Sequence, residues 1–315
     1  MKIKDLKKKI NSFFYLQWLR PENVAWDLHV SIIFQKYFFY YEKKNKDFKC
    51  LEIGVGNGFN TLLNLNGQLN KKYDFFLNAS YKNFFQNKDI YDSPLKKNFI
   101  PKDLVKTYPS KKFDLALDLK KNLLKVAKHL KISEELITHD CNKEFSINKK
   151  YDFIYSSIIY WLNNPKDSIL RISKLLKNNG VFMFTIPNEN YLKYCQSYSK
   201  SGNFWNLINR GRKDTLQTTI VQNEFEKWLK KNNFEIINNH KLLSEKTLKI
   251  WDFGLRPISP YLIRLTNLVS PKIRHEIKKN WCHDLYPIVE NLVYHELEFG
   301  GGDGGYCIYL IKRKN

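Results

Sequence analysis

Residues 50–58 read Cys-Leu-Glu-Ile-Gly-Val-Gly-Asn-Gly, a short apolar run carrying one acid and ending in glycines at 54, 56 and 58. An apolar strand that ends in closely spaced glycines lets the backbone turn sharply and approach a ligand, because glycine has no Cβ to clash. The spacing is informative. A dinucleotide fingerprint reads G-x-G-x-x-G, whereas Gly54, Gly56 and Gly58 give G-x-G-x-G with Glu52 just ahead. On its own such a turn also serves as an ordinary strand-to-helix loop, so the segments on either side decide its meaning.

Downstream, Phe59 to Leu65 begins a helix. Residues 66 to about 112, rich in Asn, Lys and Tyr, with Pro94, Pro101 and Pro109, read as an insertion with little regular structure. Regularity returns with FDLALD (113–118), a strand ending in an acid. A helix follows, with apolar residues at Leu119, Leu123, Leu124, Val126, Ala127 and Leu130. ELITHD (135–140) reads as another strand ending in an acid. YDFIYSSIIYWL (151–162) is a long apolar run that suits a strand buried on both faces of a parallel sheet. NPKDSILRISKLLKNNG reads as a helix with Asn-Pro at its start and Asn-Gly at its stop, and VFMFTIPN (181–188) as the next strand. Strand and helix alternate, which implies an α/β fold with right-handed crossovers. Residues 189–222 read as a polar, aromatic loop or lid, 225–243 as helix, turn and strand, and 247–297 as helical with breaks at prolines. GGGDGG then reads as a flexible turn before a terminal strand. Upstream, residues 1–48 read as two aromatic-rich helices parted by Pro21, a cover over the core or one wall of a pocket.

The chain has 315 residues, 43% of them apolar, enough for a substantial core. Its charge is lopsided, +22 from 53 Lys plus Arg against 31 Asp plus Glu. Only eight of the 53 are Arg, while 33 residues are Asn. That is a Lys/Asn bias spread along the chain rather than the Arg clusters of phosphate or base recognition. The five cysteines are scattered and contain no C-x-x-C pair. Neither a zinc site nor a disulfide framework is expected, and a reducing cytoplasm is. The basic N-terminus lacks an uninterrupted apolar stretch and a small-residue cleavage site, and no apolar run has the length of a transmembrane helix.

Taken as a series, the glycine turn, the strand-ending acids and the "LLKNNG"-plus-strand segment resemble the class I S-adenosylmethionine (SAM) methyltransferases over roughly residues 48–188 and the final strands. The resemblance implies a doubly wound, mostly parallel seven-stranded sheet. It would carry a helical N-terminal cap (1–48) and a SAM-binding domain (49–315) with insertions at about 66–112 and 247–297. It implies SAM as cofactor, with Gly54, Gly56 and Gly58 passing its methionine part and Glu52 ordering the loop. Asp118 would accept from the ribose hydroxyls, and Asp140, with Cys141 or His139 beside it, would accept from the adenine amino group. Ser156, Ser157 and Tyr160 would face the methyl group. Asp118 lies 60 residues beyond Gly58, far past the usual spacing of about 20. Asp74 is closer but precedes the apolar FFL, whereas FDLALD is a strand with the expected helix after it.

A hydroxyl acceptor needs a general base that an amine can do without. His139, Tyr160 and His240 are the base candidates, with His275, His283 and His295 beyond them, and spacing selects none. No metal constellation stands out. Around Trp251, Asp252 and Arg256 the sequence fits a substrate lid or a packed connector with an internal Asp–Arg pair. Three activities remain open. The first is methyl transfer to a small-molecule, sugar or lipid-linked acceptor, the second is RNA or other nucleic-acid methylation, and the third is a non-catalytic scaffold. SSIIYW after the fourth strand lacks the N-P-P-[YF] form of amino-methylating nucleic-acid enzymes. The acceptor and the oligomeric state are not written in the sequence.

Overall fold

The computed structural model describes residues 2–80, 82–83, 86, 89–92, 104–209 and 217–314, with the side chain of residue 78 excepted. Pro94 and Pro101 of the expected insertion lie outside these residues. The described helices are α1 (Ile3–Leu16), α2 (Asn23–Lys44), α3 (Phe59–Asn64), α4 (Lys121–Leu130), α5 (Pro165–Ser173), α6 (Glu189–Tyr194), α7 (Asn203–Asn209), α8 (Gln222–Lys231), α9 (Glu245–Lys249), α10 (Ser259–Asn267), α11 (Pro271–Asp284) and α12 (Tyr286–Asp303). The strands are β1 (Cys50–Ile53), β2 (Gln68–Leu69), β3 (Val105–Thr107), β4 (Phe113–Asp118), β5 (Ser133–Thr138), β6 (Tyr151–Ser156), β7 (Leu176–Pro187), β8 (Phe234–Leu242) and β9 (Tyr306–Arg313).

Seven strands form one sheet in the order β5-β4-β1-β6-β7-β9-β8. The first five are mutually parallel, and β9 runs antiparallel to both β7 and β8. The strand order reverses about β1, between β4 and β6, which is where open α/β sheets bind ligands. Alternation along the strands supplies both faces. Phe113, Phe153, Val181, Met183, Ile308 and Leu310 belong to a core shared with α1, α2, α4 and α12. Leu51, Ile53, Leu115, Ile154, Phe182 and Ile311 belong to a second core with α5 and α8. Strands buried on both sides explain the long apolar runs in the sequence.

Several elements differ from the sequence reading. The insertion after α3 carries a small antiparallel ribbon, β2 with β3. β5 begins at Ser133 and ends at Thr138, so Asp140 lies two residues beyond it. β6 stops at Ser156, where the Ser156 hydroxyl accepts from the Ile158 amide and a short helical turn, Ile159–Trp161, takes over. α5 starts as expected, with Asn164 capping it through Asp167 N and Pro165 in its first turn. It ends at Ser173, and Lys177 to Gly180 extend β7 instead, with Asn179 in the left-handed region at φ 65°. Residues 189–222 hold α6 and α7 within the expected loop. Of GGGDGG, Gly300 to Asp303 complete α12, leaving only Gly304 and Gly305 for the turn into β9.

Candidate active site

All three glycines after β1 have positive φ: 80° at Gly54, 59° at Gly56 and 78° at Gly58. L-residues with a side chain are strained in that conformation, so the G-x-G-x-G spacing is a backbone requirement. A Cβ on Gly58 would meet Ile132 at 2.4 Å, and one on Gly54 would meet Ile158 at 2.2 Å. Gly56 faces open space, with nothing within 4 Å of that position among the described residues. Asp118, at the end of the neighbouring strand β4, accepts the Gly56 amide at 2.8 Å and the Lys120 amide at 2.8 Å. Gly54 N also donates to Leu117 O at 2.8 Å, so β4 holds the turn at two points.

The same turn forms one side of a cavity of about 370 Å³. Glu52, Gly54, Val55 and Asn57 line it from β1 and its loop, and Asn60, Thr61 and Asn64 from α3. Tyr155, Ser157 and Tyr160 contribute from the end of β6, and Thr185 from β7. Its roof is the α1–α2 hairpin, through Gln17, Arg20, Trp26, Asp27 and Val30, with Trp251 from the segment after α9.

Glu52 is buried. Thr61 donates to its Oε1 at 2.8 Å, while its Oε2 has no partner among the described residues. Burial pushes its carboxyl up to about 8. Asp27 is held by Gln17 Nε2 at 3.0 Å, and burial pushes it up to about 7 against the opposing bonds from Gln17 and Asn60. Arg20 leans on Glu22 at 3.4 Å and on Asn23 at 3.1 Å.

Trp26 and Trp251 meet edge to face at 5.8 Å. Trp26 also lies 4.7 Å from the Tyr306 ring, and Tyr160 stands edge-on to Tyr306 at 5.7 Å. Trp251 is set by its own segment, a helical stretch (Ile250–Leu255) kinked at Gly254. The Arg256 guanidinium lies 4.9 Å from the Trp251 ring centre, and pairs with Asp252 at 3.2 Å. Asp252, fully buried, also accepts the Ser197 amide at 2.8 Å and hydroxyl at 2.5 Å. The segment is the packed connector with an internal Asp–Arg pair, and it carries Trp251 into the cavity lining.

The other expected site residues divide between the end of β5, which is tied to Asp118 by the His139 amide at 3.0 Å, and places away from the turn. Ser156 is fully buried and donates to Ile53 O at 3.0 Å, a bond across the sheet, while Ser157 takes the cavity position. Cys141 belongs to the second core, and burial pushes its thiol up to about 12. Asp140 is half-exposed and holds a turn by accepting from Asn142 N at 3.0 Å and Nδ2 at 3.2 Å. Of the candidate bases, only Tyr160 reaches the cavity. Burial pushes it up to about 12, so it is a hydrogen-bond donor at neutral pH. His139 packs on Phe145 with ring centres 4.9 Å apart. His240 sits on β8 beside the Tyr37 hydroxyl at 2.7 Å. Asp74 accepts from Trp18 Nε1 at 3.0 Å and pairs with Arg274 of α11, which leaves it a tertiary anchor. Sequence reasoning missed Asp27, Gln17, Arg20 and Asn60. The one signal for Asp27 was a lone carboxylate among Val24, Ala25, Trp26, Leu28 and Val30, where burying an acid is costly.

A family model described as a methyltransferase domain matches residues 31–239. The chain therefore belongs to that family, and it is a class I methyltransferase whose methyl donor is SAM. A search of curated protein sequences returns no significant match. Similar solved structures include the plantazolicin methyltransferase BpumL in complex with S-adenosylhomocysteine (SAH), at 14% identity, covering 99% of this chain and 98% of that one, with a TM-score of 0.46. SAM-dependent methyltransferases from Thiobacillus denitrificans and Geobacter sulfurreducens, both in complex with SAH, share 11% and 9% identity. They cover 89% of this chain and 91% and 90% of their own, with TM-scores of 0.43 in each case.

Proposed function

We propose that this methyltransferase acts on a small-molecule acceptor bound in the cavity between the glycine turn and the α1–α2 roof. One observation carries the reading: a single cavity is lined both by Gly54, Val55 and Asn57 of the turn and by Trp26, Asp27 and Trp251. Donor and acceptor must meet within reach of one another for an in-line displacement, and a partly aromatic cavity beside the turn can hold the two in line.

Features of the turn support its use for the donor. Gly56 presents bare backbone to open space, Glu52 offers a buried oxygen without a partner among the described residues, and Asp118 reaches the same loop. In this reading Glu52, Gly54, Gly56 and Asp118 hold SAM, which supplies an activated methyl group when bound. Gly58 shapes the turn by packing against Ile132. Asp140 and Cys141 follow β5, whose end is bonded to Asp118 through the His139 amide, so the adenine contact stays part of this reading.

The test is calorimetry with SAM and SAH on the wild type and on Asp118→Ala, followed by an acceptor screen read as SAH release. Binding of both nucleosides by the wild type supports the assignment. Binding of neither would leave only a scaffold with a methyltransferase fold.

A further inference from the structure

We propose that the acceptor is an amine, bound as its ammonium form by Asp27 under the rings of Trp26, Tyr160 and Trp251. The inference rests on the site assigned above and names the class of molecule that site takes.

The charge and surface of the chamber lead to it. Among the described residues, its ionisable lining consists of the carboxyl groups of Asp27 and Glu52, the phenols of Tyr155 and Tyr160 and one cation, Arg20. Arg20 is already engaged, with Glu22 at 3.4 Å, Asn23 at 3.1 Å and the Tyr91 hydroxyl. Among the same residues, neither histidine nor lysine lines the chamber. An anionic acceptor would therefore meet two acids and a guanidinium already in use. A cation would meet an acid and aromatic rings, and indole and phenol rings attract cations through their quadrupoles. Trp26, Trp251 and Tyr160 are held by ring contacts and by the Asp252–Arg256 pair, which covers one face of Trp251 with the Arg256 guanidinium and leaves the rings fixed in place.

Asp27 serves both steps that an amine requires. Its carboxylate pairs with the ammonium. It then takes the proton: the N–H bond breaks, an O–H bond forms on Asp27, and the electron pair stays on nitrogen as the nucleophile. The groups that face Asp27 are Arg20 and Glu22 from the α1–α2 connection, Glu52 from β1, and Tyr155 and Tyr160 from the end of β6. Together with burial they leave it poised near neutrality, where a base exchanges protons most usefully.

The probe pair is choline and its neutral isostere 3,3-dimethylbutan-1-ol, titrated by calorimetry into protein saturated with SAH. We expect choline to bind at least tenfold more tightly than the alcohol, and its affinity to rise between pH 6 and pH 8 as Asp27 ionises. Asp27→Asn should remove most of the preference for charge and flatten the rise between pH 6 and pH 7, leaving only the later rise that Glu52 supplies near pH 8, while SAH still binds. Should Asp27→Asn not fold, Trp251→Leu in its place should weaken choline more than the alcohol. Equal affinity for the two probes in the wild type, with SAH bound, overturns the amine assignment and leaves the methyltransferase site standing. Failure of SAH itself to bind overturns both.

Discussion

Two acids of similar sequence character have opposite fates. Asp118 stands at a strand end beside the glycine turn and accepts two backbone amides, with lone pairs to spare for further donors. Asp74 is taken up by Arg274, Trp18 and the Phe76 amide. Asp118→Ala should weaken SAM roughly ten- to a hundredfold, the loss of charge-assisted hydrogen bonds worth about 1.5–3 kcal/mol. Asp74→Ala should leave SAM affinity near wild type and lower stability instead. Calorimetry and urea unfolding on the two variants separate these effects, and the reverse pattern would transfer the donor-binding role to Asp74.

Glu52 makes a pH prediction at the same scale. Its folded carboxyl is raised to about 8 from an ordinary value of 4.5. Between those values the folded state holds a proton that the unfolded state has lost, so stability falls as pH rises through that window. Apo protein should therefore lose stability from about pH 5 to pH 8, and Glu52→Gln should flatten that stretch of the curve. Urea midpoints measured across this range provide the check, and a slope unchanged in the variant would assign it to other groups.

Among the elements, the turn after β1 is the most demanding. Gly56→Ala should cost about 1–2 kcal/mol, the strain of a left-handed L-residue, because no described neighbour obstructs its side chain. Gly58→Ala adds a collision with Ile132 and should cost about 2–5 kcal/mol once overpacking is included. Chemical denaturation of the two variants tests the order.

The same element shows what the sequence could reveal. Three glycines at alternate positions signal a backbone need that is local, so it reads directly from the chain. So do FDLALD and the Asn164–Pro165 helix start, each governed by its immediate neighbours. The end of β6 does not, because the apolar run continues through Trp161 and Leu162 while a side-chain bond, from the Ile158 amide to the Ser156 hydroxyl, turns the backbone. Nor does the site's roof. Asp27 and Trp251 are 224 positions apart in the chain, and they line one cavity only because α1–α2 and the segment after α9 both reach the ends of the central strands. Ser157 rather than Ser156 lines the chamber for a similar reason, since the Ser156 hydroxyl is spent on the Ile53 carbonyl across the sheet.

At the scale of the molecule, Glu296 of α12 joins parts that are distant in sequence. It accepts from the Leu243 amide at 2.5 Å, the Ser244 amide at 2.9 Å and the Thr247 hydroxyl at 2.8 Å, and meets His29 of α2 at 3.0 Å. These contacts hold its carboxyl below the ordinary range despite burial. Glu296→Ala would leave several buried donors without an acceptor and should cost about 3–5 kcal/mol, measured by urea unfolding. A loss below about 1 kcal/mol, the scale of one ordinary hydrogen bond, would show that the C-terminal helix docks through apolar contact alone. Among the described residues no helix is long and apolar enough to cross a membrane.

The position of β9 bears on how the chain is made. Tyr306–Arg313 lies between β7 and β8 and bonds to both, yet of all the sheet's strands it leaves the ribosome last. Until it emerges, β7 presents a bare edge and β8 has no partner on that side, and unpaired edges invite association with other chains. Synthesis therefore passes through a vulnerable interval that ends only when the final strand slides into the slot kept for it.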